Sequence, residues 1–87
     1  MAENNPVEEL RQLVLYLATA LVGNPDGIEV EAEQNGPTVR LNLRVPETEL
    51  GRVIGKEGRI ARAMRTLVTI TSSRFNLHAR LEIDAAV

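Results

Sequence analysis

The segment Val53-Ile54-Gly55-Lys56-Glu57-Gly58-Arg59-Ile60 contains two glycines separated by two charged residues. Glycine lets the backbone turn sharply and approach a ligand closely, because no Cβ stands in the way. If a helix begins just after Gly58, its free N–H groups and the positive end of its dipole face that ligand. Backbone amides, together with the side chains of Lys56 and Arg59, suit a phosphate group. The segment therefore predicts a tight, phosphate-binding turn at the start of a helix.

Helical patterns lie on both sides of this glycine loop. Residues 47–54 suit a short helix that leads into it, and residues 59–71 suit a longer helix that leads out. The inward-facing positions of the longer helix are predicted to be Ile60, Ala63, Met64, Leu67 and Thr71. Arg59, Arg62 and Arg65 recur at i, i+3 spacing and are predicted to share the opposite face. That face would extend the positive charge of the loop along the helix.

Two alternating segments precede these helices and predict a β-hairpin. Residues 28–34 and 38–45 place apolar side chains at every second position, and Asn35-Gly36 between them is typical of a two-residue turn. A turn at that dipeptide would place Ala32 opposite Val39. Both apolar faces would then point the same way, as a single core requires.

A further helix is predicted near the start of the chain. Asn5 suits its N-cap and Pro6 its first position. Its core-facing positions are predicted to be Leu10, Leu13, Val14, Leu17 and Leu21. Leu15 and Val22, with Ala18 beside them, fall outside that stripe and suggest a surface for a partner.

The last predicted element is a strand, formed by the alternating residues Phe75, Leu77, Ala79, Leu81 and Ile83. The element order is then α-β-β-α-α-β, which predicts an α+β fold with a three-stranded mixed sheet and three helices packed on one face. The helical crossover favours parallel pairing of the second and third strands. The outer sheet face is predicted to carry complementary charges. We expect one domain over residues 1–87, with its core at about residues 6–84 and loose ends at residues 1–4 and 85–87.

Charge is distributed unevenly along the 87 residues, whose net charge is −2. Residues 1–51 hold three basic and nine acidic residues, whereas residues 52–80 hold seven basic residues and one acid. A local concentration of this kind can attract a polyanion despite the negative total. The chain has no cysteine, which excludes disulfides and thiolate metal sites. The polar N-terminus is unlike a secretion signal and the longest apolar run is short, so we expect a cytoplasmic protein without membrane contact.

The glycine loop and the element order together resemble a type II KH domain, in which such a loop clamps the backbone of a nucleotide chain. The stretch from Leu50 to Arg65 is similar to the KhpA family of small bacterial KH-domain proteins, and the resemblance covers about residues 6–84. The family implies a cytoplasmic protein that binds single-stranded RNA with low sequence specificity, as a post-transcriptional regulator or RNA chaperone. It also implies a homodimer, and a heterodimer with a larger KH protein of the KhpB type, also called Jag or EloR.

Carried onto this chain, the resemblance places RNA in a groove between the two helices and the third strand, with residues 72–74 as a variable loop. The residues expected to bind RNA are Arg52, Ile54, Gly55, Lys56, Glu57, Gly58, Arg59 and Arg62. The two aromatic residues do not extend this set, because Phe75 matches the core pattern and Tyr16 is far from the loop in sequence. We therefore expect recognition of the backbone rather than stacking of bases on aromatic rings.

Other interpretations use the same residues. The loop could be a plain helix–helix turn, the arginines a solvated helix face, and His78 a surface residue. The main alternative function is a protein-interaction adaptor that pairs with a larger KH protein and binds RNA only weakly. An enzyme acting on RNA is a third class, but no nucleophile–base pair, metal-ligand cluster or catalytic carboxylate pair can be assembled from the spacing. We therefore expect no enzymatic activity, no metal and no cofactor.

Overall fold

A computed structural model describes residues 5–86 of the chain. Its helices and strands, in chain order, are α1 (Pro6–Leu21), β1 (Glu29–Asn35), β2 (Thr38–Pro46), α2 (Leu50–Ile54), α3 (Arg59–Ser73) and β3 (His78–Ala86). Short 3-10 turns cover Glu47–Glu49 before α2 and Lys56–Gly58 between α2 and α3. The predicted α-β-β-α-α-β order and the α+β class are confirmed.

The three strands form one mixed sheet with β2 at its centre. The strand order is β1-β2-β3, with β1 antiparallel and β3 parallel to β2. The parallel pairing predicted from the helical crossover is therefore confirmed. The central strand contributes four side chains with no exposed surface, which are Val39, Leu41, Leu43 and Val45. These alternate positions face the helices and form the middle of the core.

The hairpin register differs from the prediction by two residues. Ala32 lies opposite Leu41 rather than Val39, and the last pair is Asn35 with Thr38. The two-residue turn is therefore Gly36-Pro37, where Gly36 has a φ of 62°. Glycine at the first central position and the fixed negative φ of proline at the second suit a type II′ turn. A shift of two leaves every side chain on its predicted face.

Helix α3 and strand β3 both differ from their predicted limits. The helix continues to Ser73, and the following N–H groups of Phe75 and Leu77 both donate to the carbonyl of Ser72, at 3.0 Å each. Asn76 adopts a left-handed conformation with a φ of 58°. The predicted start of the strand at Phe75 is therefore wrong, and the turn expected at 72–74 lies at 74–77.

The end of β3 was also predicted too early. Ala85 and Ala86, expected to be loose, lie in the strand and pair with Val45 and Pro46 of β2. The expectation of loose ends at residues 1–4 and at residue 87 lies outside the described residues. Among residues 5–86, no helix is long and apolar enough to cross a membrane.

Helix α1 packs on the sheet through a face slightly rotated from the predicted one. Its fully buried residues are Leu10, Val14 and Ala18. Leu15 and Val22 are half-buried and pack against the same core. Ala18, predicted beside these two residues and outside the core stripe, is therefore a core residue, and the partner surface suggested by Leu15 and Val22 stays a prediction. The large apolar side chain that this helix exposes is that of Tyr16, at 71 %.

The inner face of α3 is displaced by one residue from the prediction. The buried residues are Ala61, Met64, Val68 and Ser72. Ser72 is drawn inward because its hydroxyl donates to the carbonyl of Thr69 and accepts a bond from the N–H of Ala79 on β3. Leu67, predicted to face inward, is 44 % exposed.

This displacement predicts unequal costs for two neighbouring truncations. Val68→Ala should lower the free energy of unfolding by about 2 kcal/mol, because two buried methyl groups are removed and a cavity remains. Leu67→Ala should cost less than about 1 kcal/mol, although it removes more atoms, because its side chain is partly solvated. Urea denaturation at low protein concentration measures both values. The reverse order of costs would contradict the observed orientation of α3.

Candidate nucleic-acid interface

Gly55, the first glycine of the loop, is required both by its backbone conformation and by a close contact with Ile60. Gly55 has a φ of 77° and a ψ of 175°, a region that is essentially restricted to glycine. A Cβ at this position would lie 2.6 Å from Cγ1 of Ile60. The loop backbone therefore packs directly on the first turn of α3. This contact sets the direction in which α3 leaves the loop.

The second half of the loop is left-handed. Glu57 has a φ of 57° and Gly58 a φ of 75°. The N–H of Gly58 donates to the carbonyl of Gly55 at 3.2 Å, and the N–H of Arg59 donates to the carbonyl of Lys56. These two amides hold the loop together instead of facing a ligand. The side-chain cations therefore contribute a larger share of any anion binding than the sequence suggested.

The charged side chains of the loop point into solvent. Lys56 is exposed and forms no ion pair among the described residues. Glu57 and Arg59 approach each other at 3.9 Å, with their side chains 80 % and 76 % exposed. An ion pair this exposed contributes little and opens readily. Arg59 is therefore available to a ligand that carries negative charge.

Two of the predicted residues lie outside the exposed part of the loop. Arg52 is directed toward the end of α1, where its Nε lies 3.6 Å from Glu49 and its guanidinium covers Gly23. The same carboxylate of Glu49 accepts a bond from the Gly23 N–H at 3.3 Å. Ile54 is half-buried at the end of α2 and packs against the core. The structure thus groups Lys56, Arg59 and Arg62 around the glycines and ties Arg52 to a neighbouring element.

Unpaired cations are concentrated in the glycine loop and in the elements that follow it. Within residues 5–86, the cations that form ion pairs are Arg11, Arg40, Arg44, Arg52 and Arg59. Those without an ion pair in the same range are Lys56, Arg62, Arg65, Arg74 and Arg80. All five of the latter lie on the loop, on α3 and the turn after it, or on β3. Their uncompensated charge creates a positive surface there.

A cleft between α3 and β3 continues this surface away from the loop. Arg62 lies beside Gly58, with its Nη1 3.8 Å from the position of a Cβ on that glycine. Arg65 follows one turn later and lines a cleft of about 380 Å³ together with Arg80. The sequence identified Arg65 only as a distant extension of the loop and did not single out Arg80. That both residues line one cleft could not be predicted from the sequence, because it depends on how α3 lies against β3.

The outer face of the sheet has the opposite character. Arg40 lies 3.8 Å from Glu33, and Arg44 lies 3.3 Å from Glu31 and 3.9 Å from Glu29. The predicted lattice of complementary charge is therefore confirmed between β1 and β2. Its cations are already matched with acids, so this face offers a polyanion little attraction.

The described part of the chain contains no cluster of acidic and imidazole side chains that could form a metal site. Within residues 5–86, no three His, Cys, Asp or Glu side chains lie close enough together to hold a metal ion. His78 is exposed at the start of β3.

Known proteins are similar to this chain in sequence, and others are similar to it in fold. The family model described as KhpA/KhpB, KH domain matches residues 11–83. The chain belongs to the KhpA/KhpB KH-domain family. The predicted resemblance to KhpA and the type II KH fold are thereby confirmed.

Similar KhpA proteins come from Aquifex aeolicus and Bacillus subtilis. The RNA-binding protein KhpA of Aquifex aeolicus is 43% identical over 74 residues, which cover 85% of this chain and 94% of that protein. The RNA-binding protein KhpA of Bacillus subtilis is 36% identical over 76 residues, which cover 87% and 94% of the two chains. The chain therefore matches these KhpA proteins over nearly their whole length.

The fold also occurs within a larger protein. A crystal structure of Aquifex aeolicus Era bound to GDP·AlF4⁻ superposes with a TM-score of 0.67 at 13% identity, covering 98% of this chain and 33% of the Era chain. A structure of Era with MgGDPNP and nucleotides 1506–1542 of 16S ribosomal RNA gives the same TM-score, covering 97% of this chain and 32% of that one. At this identity the likeness concerns the fold alone. The present chain spans about one third of the Era chains that it matches.

The geometry of the loop predicts opposite effects for two neighbouring glycines. Gly55→Ala should lower the free energy of unfolding by about 1–3 kcal/mol through backbone strain, with a further loss from the contact with Ile60. Gly51→Ala should be neutral or stabilising by up to about 1 kcal/mol, because no atom lies within 4 Å of the new methyl group and alanine favours the helix. Chemical denaturation of the two variants makes the comparison. Equal stability of both would show that Gly55 is not conformationally required.

Proposed function

We propose that this chain is an RNA-binding protein that grips the backbone of single-stranded RNA through its glycine loop. The observation that carries the proposal is the run of unpaired cations from Lys56 through Arg62 to Arg65 and Arg80, which begins at the loop. The KhpA relatives are named RNA-binding proteins, which supports the same function. The exposed side chains and left-handed glycines of the loop suit an extended, negatively charged strand.

Three side chains are proposed to contact phosphates. Lys56, Arg59 and Arg62 stand next to the two glycines, whereas Arg52 is held by Glu49 and contributes at longer range. Three phosphate contacts on a single strand correspond to a slope of about −2 in log affinity against log salt concentration. The described part of the cleft contains no aromatic side chain, which supports backbone recognition with low sequence specificity. In line with the resemblance to KhpA, we propose that the chain acts in the cytoplasm as a post-transcriptional regulator or RNA chaperone and not as an enzyme.

Self-association is proposed through α3, not through α1. Ile70 is 55 % exposed and Leu67 is 44 % exposed, and both lie on the outward face of the helix. A twofold axis would let the same stripe on two copies cover itself. A heterodimer with a KhpB-type KH protein could use the same stripe, because such a partner would present a comparable helix.

The loop variant Lys56→Asp/Glu57→Asp should bind single-stranded RNA at least about tenfold more weakly. It removes one charge-assisted contact of about 1.5–3 kcal/mol and adds a repulsive charge. Fluorescence anisotropy with a labelled pool of single-stranded oligonucleotides measures the affinity, and circular dichroism verifies folding.

The matched control for the loop variant is Arg40→Asp, which makes the same change of charge on the outer face of the sheet. It should weaken binding by less than about twofold, because Arg40 is already paired with Glu33. Equal affinities of the wild type and the loop variant would reject the clamp. RNA binding by neither protein would favour the adaptor function.

The variant Ile70→Glu should be monomeric at concentrations where the wild type forms dimers. A carboxylate at the centre of the stripe would have to be buried without a partner. Sedimentation equilibrium measures the association, with Thr48→Glu as a control at another exposed position. A wild type that stays monomeric throughout would refute self-association.

A further inference from the structure

Three residues from neighbouring elements meet just past the end of α1. The carboxylate of Glu49, in the turn before α2, accepts a bond from the N–H of Gly23 at 3.3 Å and lies 3.6 Å from Nε of Arg52. The side chain of Glu49 is 15 % exposed, whereas that of Arg52 is 60 % exposed. A carboxylate withdrawn from water to this degree depends on its partners, so its contact with Arg52 is held more firmly than a fully exposed ion pair.

Arg52 is also attracted by the end of α1 itself. Its Nη1 lies 2.7 Å from the position of a Cβ on Gly23, so the guanidinium covers the Cα of that residue. The last turn of α1 contains no basic residue of its own. Because the C-terminal end of a helix carries partial negative charge, it attracts a cation. Arg52 supplies that cation from another element, and two attractions therefore compete with any ligand for its charge.

The place of Arg52 in the chain would otherwise suit contact with RNA. It lies on α2, three residues before Gly55, on the helix that enters the glycine loop. Lys56, Arg59 and Arg62 lie within the loop or on the helix that leaves it. If Arg52 were free, the cationic surface would extend onto both helices that flank the loop. The contact with Glu49 restricts that surface to the loop and the elements after it.

We propose that Glu49 is a positioning residue for RNA, which holds Arg52 at the end of α1 and withholds it from the phosphates. The bound strand is thereby confined to the glycine loop and the cations that follow it. The inference rests on the proposed RNA-binding function, since a withheld contact matters only if the loop holds a strand. It adds an intramolecular contact that keeps the affinity of the clamp below the value that its cations would allow.

Two variants release Arg52 by different means. Glu49→Gln removes the carboxylate charge but keeps an oxygen that can accept from the N–H of Gly23. Gly23→Ala keeps the carboxylate and places a methyl group where the guanidinium lies, which displaces the flexible end of the arginine.

Both release variants should bind an oligouridylate of about eight nucleotides more tightly than the wild type. The expected gain is about threefold to fivefold, the upper part of the range for one exposed ion pair. The slope of log affinity against log salt concentration should steepen by about 0.7, the contribution of one further phosphate on a single strand. Fluorescence anisotropy over a series of salt concentrations measures both quantities.

Each release variant has a matched control. Glu47→Gln makes the same change of charge at an exposed acid that forms no ion pair within residues 5–86. Gly51→Ala adds a methyl group on α2 where no atom lies within 4 Å. Both controls should keep the wild-type salt slope and bind within about twofold of the wild type. Thermal unfolding monitored by circular dichroism verifies that each variant is folded.

The decisive comparison repeats the two substitutions in an Arg52→Ala background. Neither Glu49→Gln nor Gly23→Ala should change the affinity or the salt slope there, because the side chain that they release is absent. This double-mutant cycle isolates the coupling of each residue to Arg52.

The outcomes separate the role of Glu49 from the clamp. A gain in Glu49→Gln that persists without Arg52, or that Glu47→Gln reproduces, would overturn this role by assigning the effect to charge in general. Unchanged binding of the release variants, with RNA binding by the wild type, would overturn it and leave the clamp intact. Failure of the wild type to bind would remove the RNA-binding function and this inference together.

Discussion

The close contact between the backbone of Gly55 and the side chain of Ile60 fixes the relative positions of the elements that form the candidate site. No Cβ can be accommodated there, and the backbone conformation at Gly55 is essentially open to glycine alone. On one side, α2 is anchored by Val53, which has no exposed surface. On the other, α3 leaves the loop with Arg62 beside Gly58 and Arg65 against β3. The packed turn therefore fixes where the backbone of the loop lies relative to α3.

A chain with a net charge of −2 can bind a polyanion because its charges are sorted by face. On the outer face of the sheet, Arg40 and Arg44 neutralise acids of β1. On the side of α3, the cations have few acids within reach, and Glu57 is the one acid in the loop itself. If the acidic residues were spread evenly among the basic ones, the same residues would produce only a weak electrostatic potential at any one surface. Membership of the KhpA/KhpB family agrees with this arrangement.

The order of elements, the parallel crossover and the loop could be predicted from sequence, because alternation, helical spacing and paired glycines are local patterns. The inner face of α3 could not be predicted, since two adjacent faces of the helix carry apolar residues. Packing on the sheet selects the face with Val68, which also buries Ser72. The hairpin register depended on Pro37, whose fixed φ competes with the Asn35-Gly36 pattern. The cations of the loop, Lys56 and Arg59, could be predicted because they lie within or next to the two-glycine motif. The contact of Arg65 with Leu81 joins residues 16 positions apart and arises only when helix and strand meet.

The position of β3 at the edge of the sheet has a consequence for the behaviour of the chain at high concentration. An uncovered strand presents unpaired N–H and C=O groups on which another chain can build. Here Ser72 accepts from the N–H of Ala79, and Arg65 donates to the carbonyl of Leu81, so two of these groups are occupied. Side chains of α3 thus protect this part of the β3 edge from pairing with a strand of another chain.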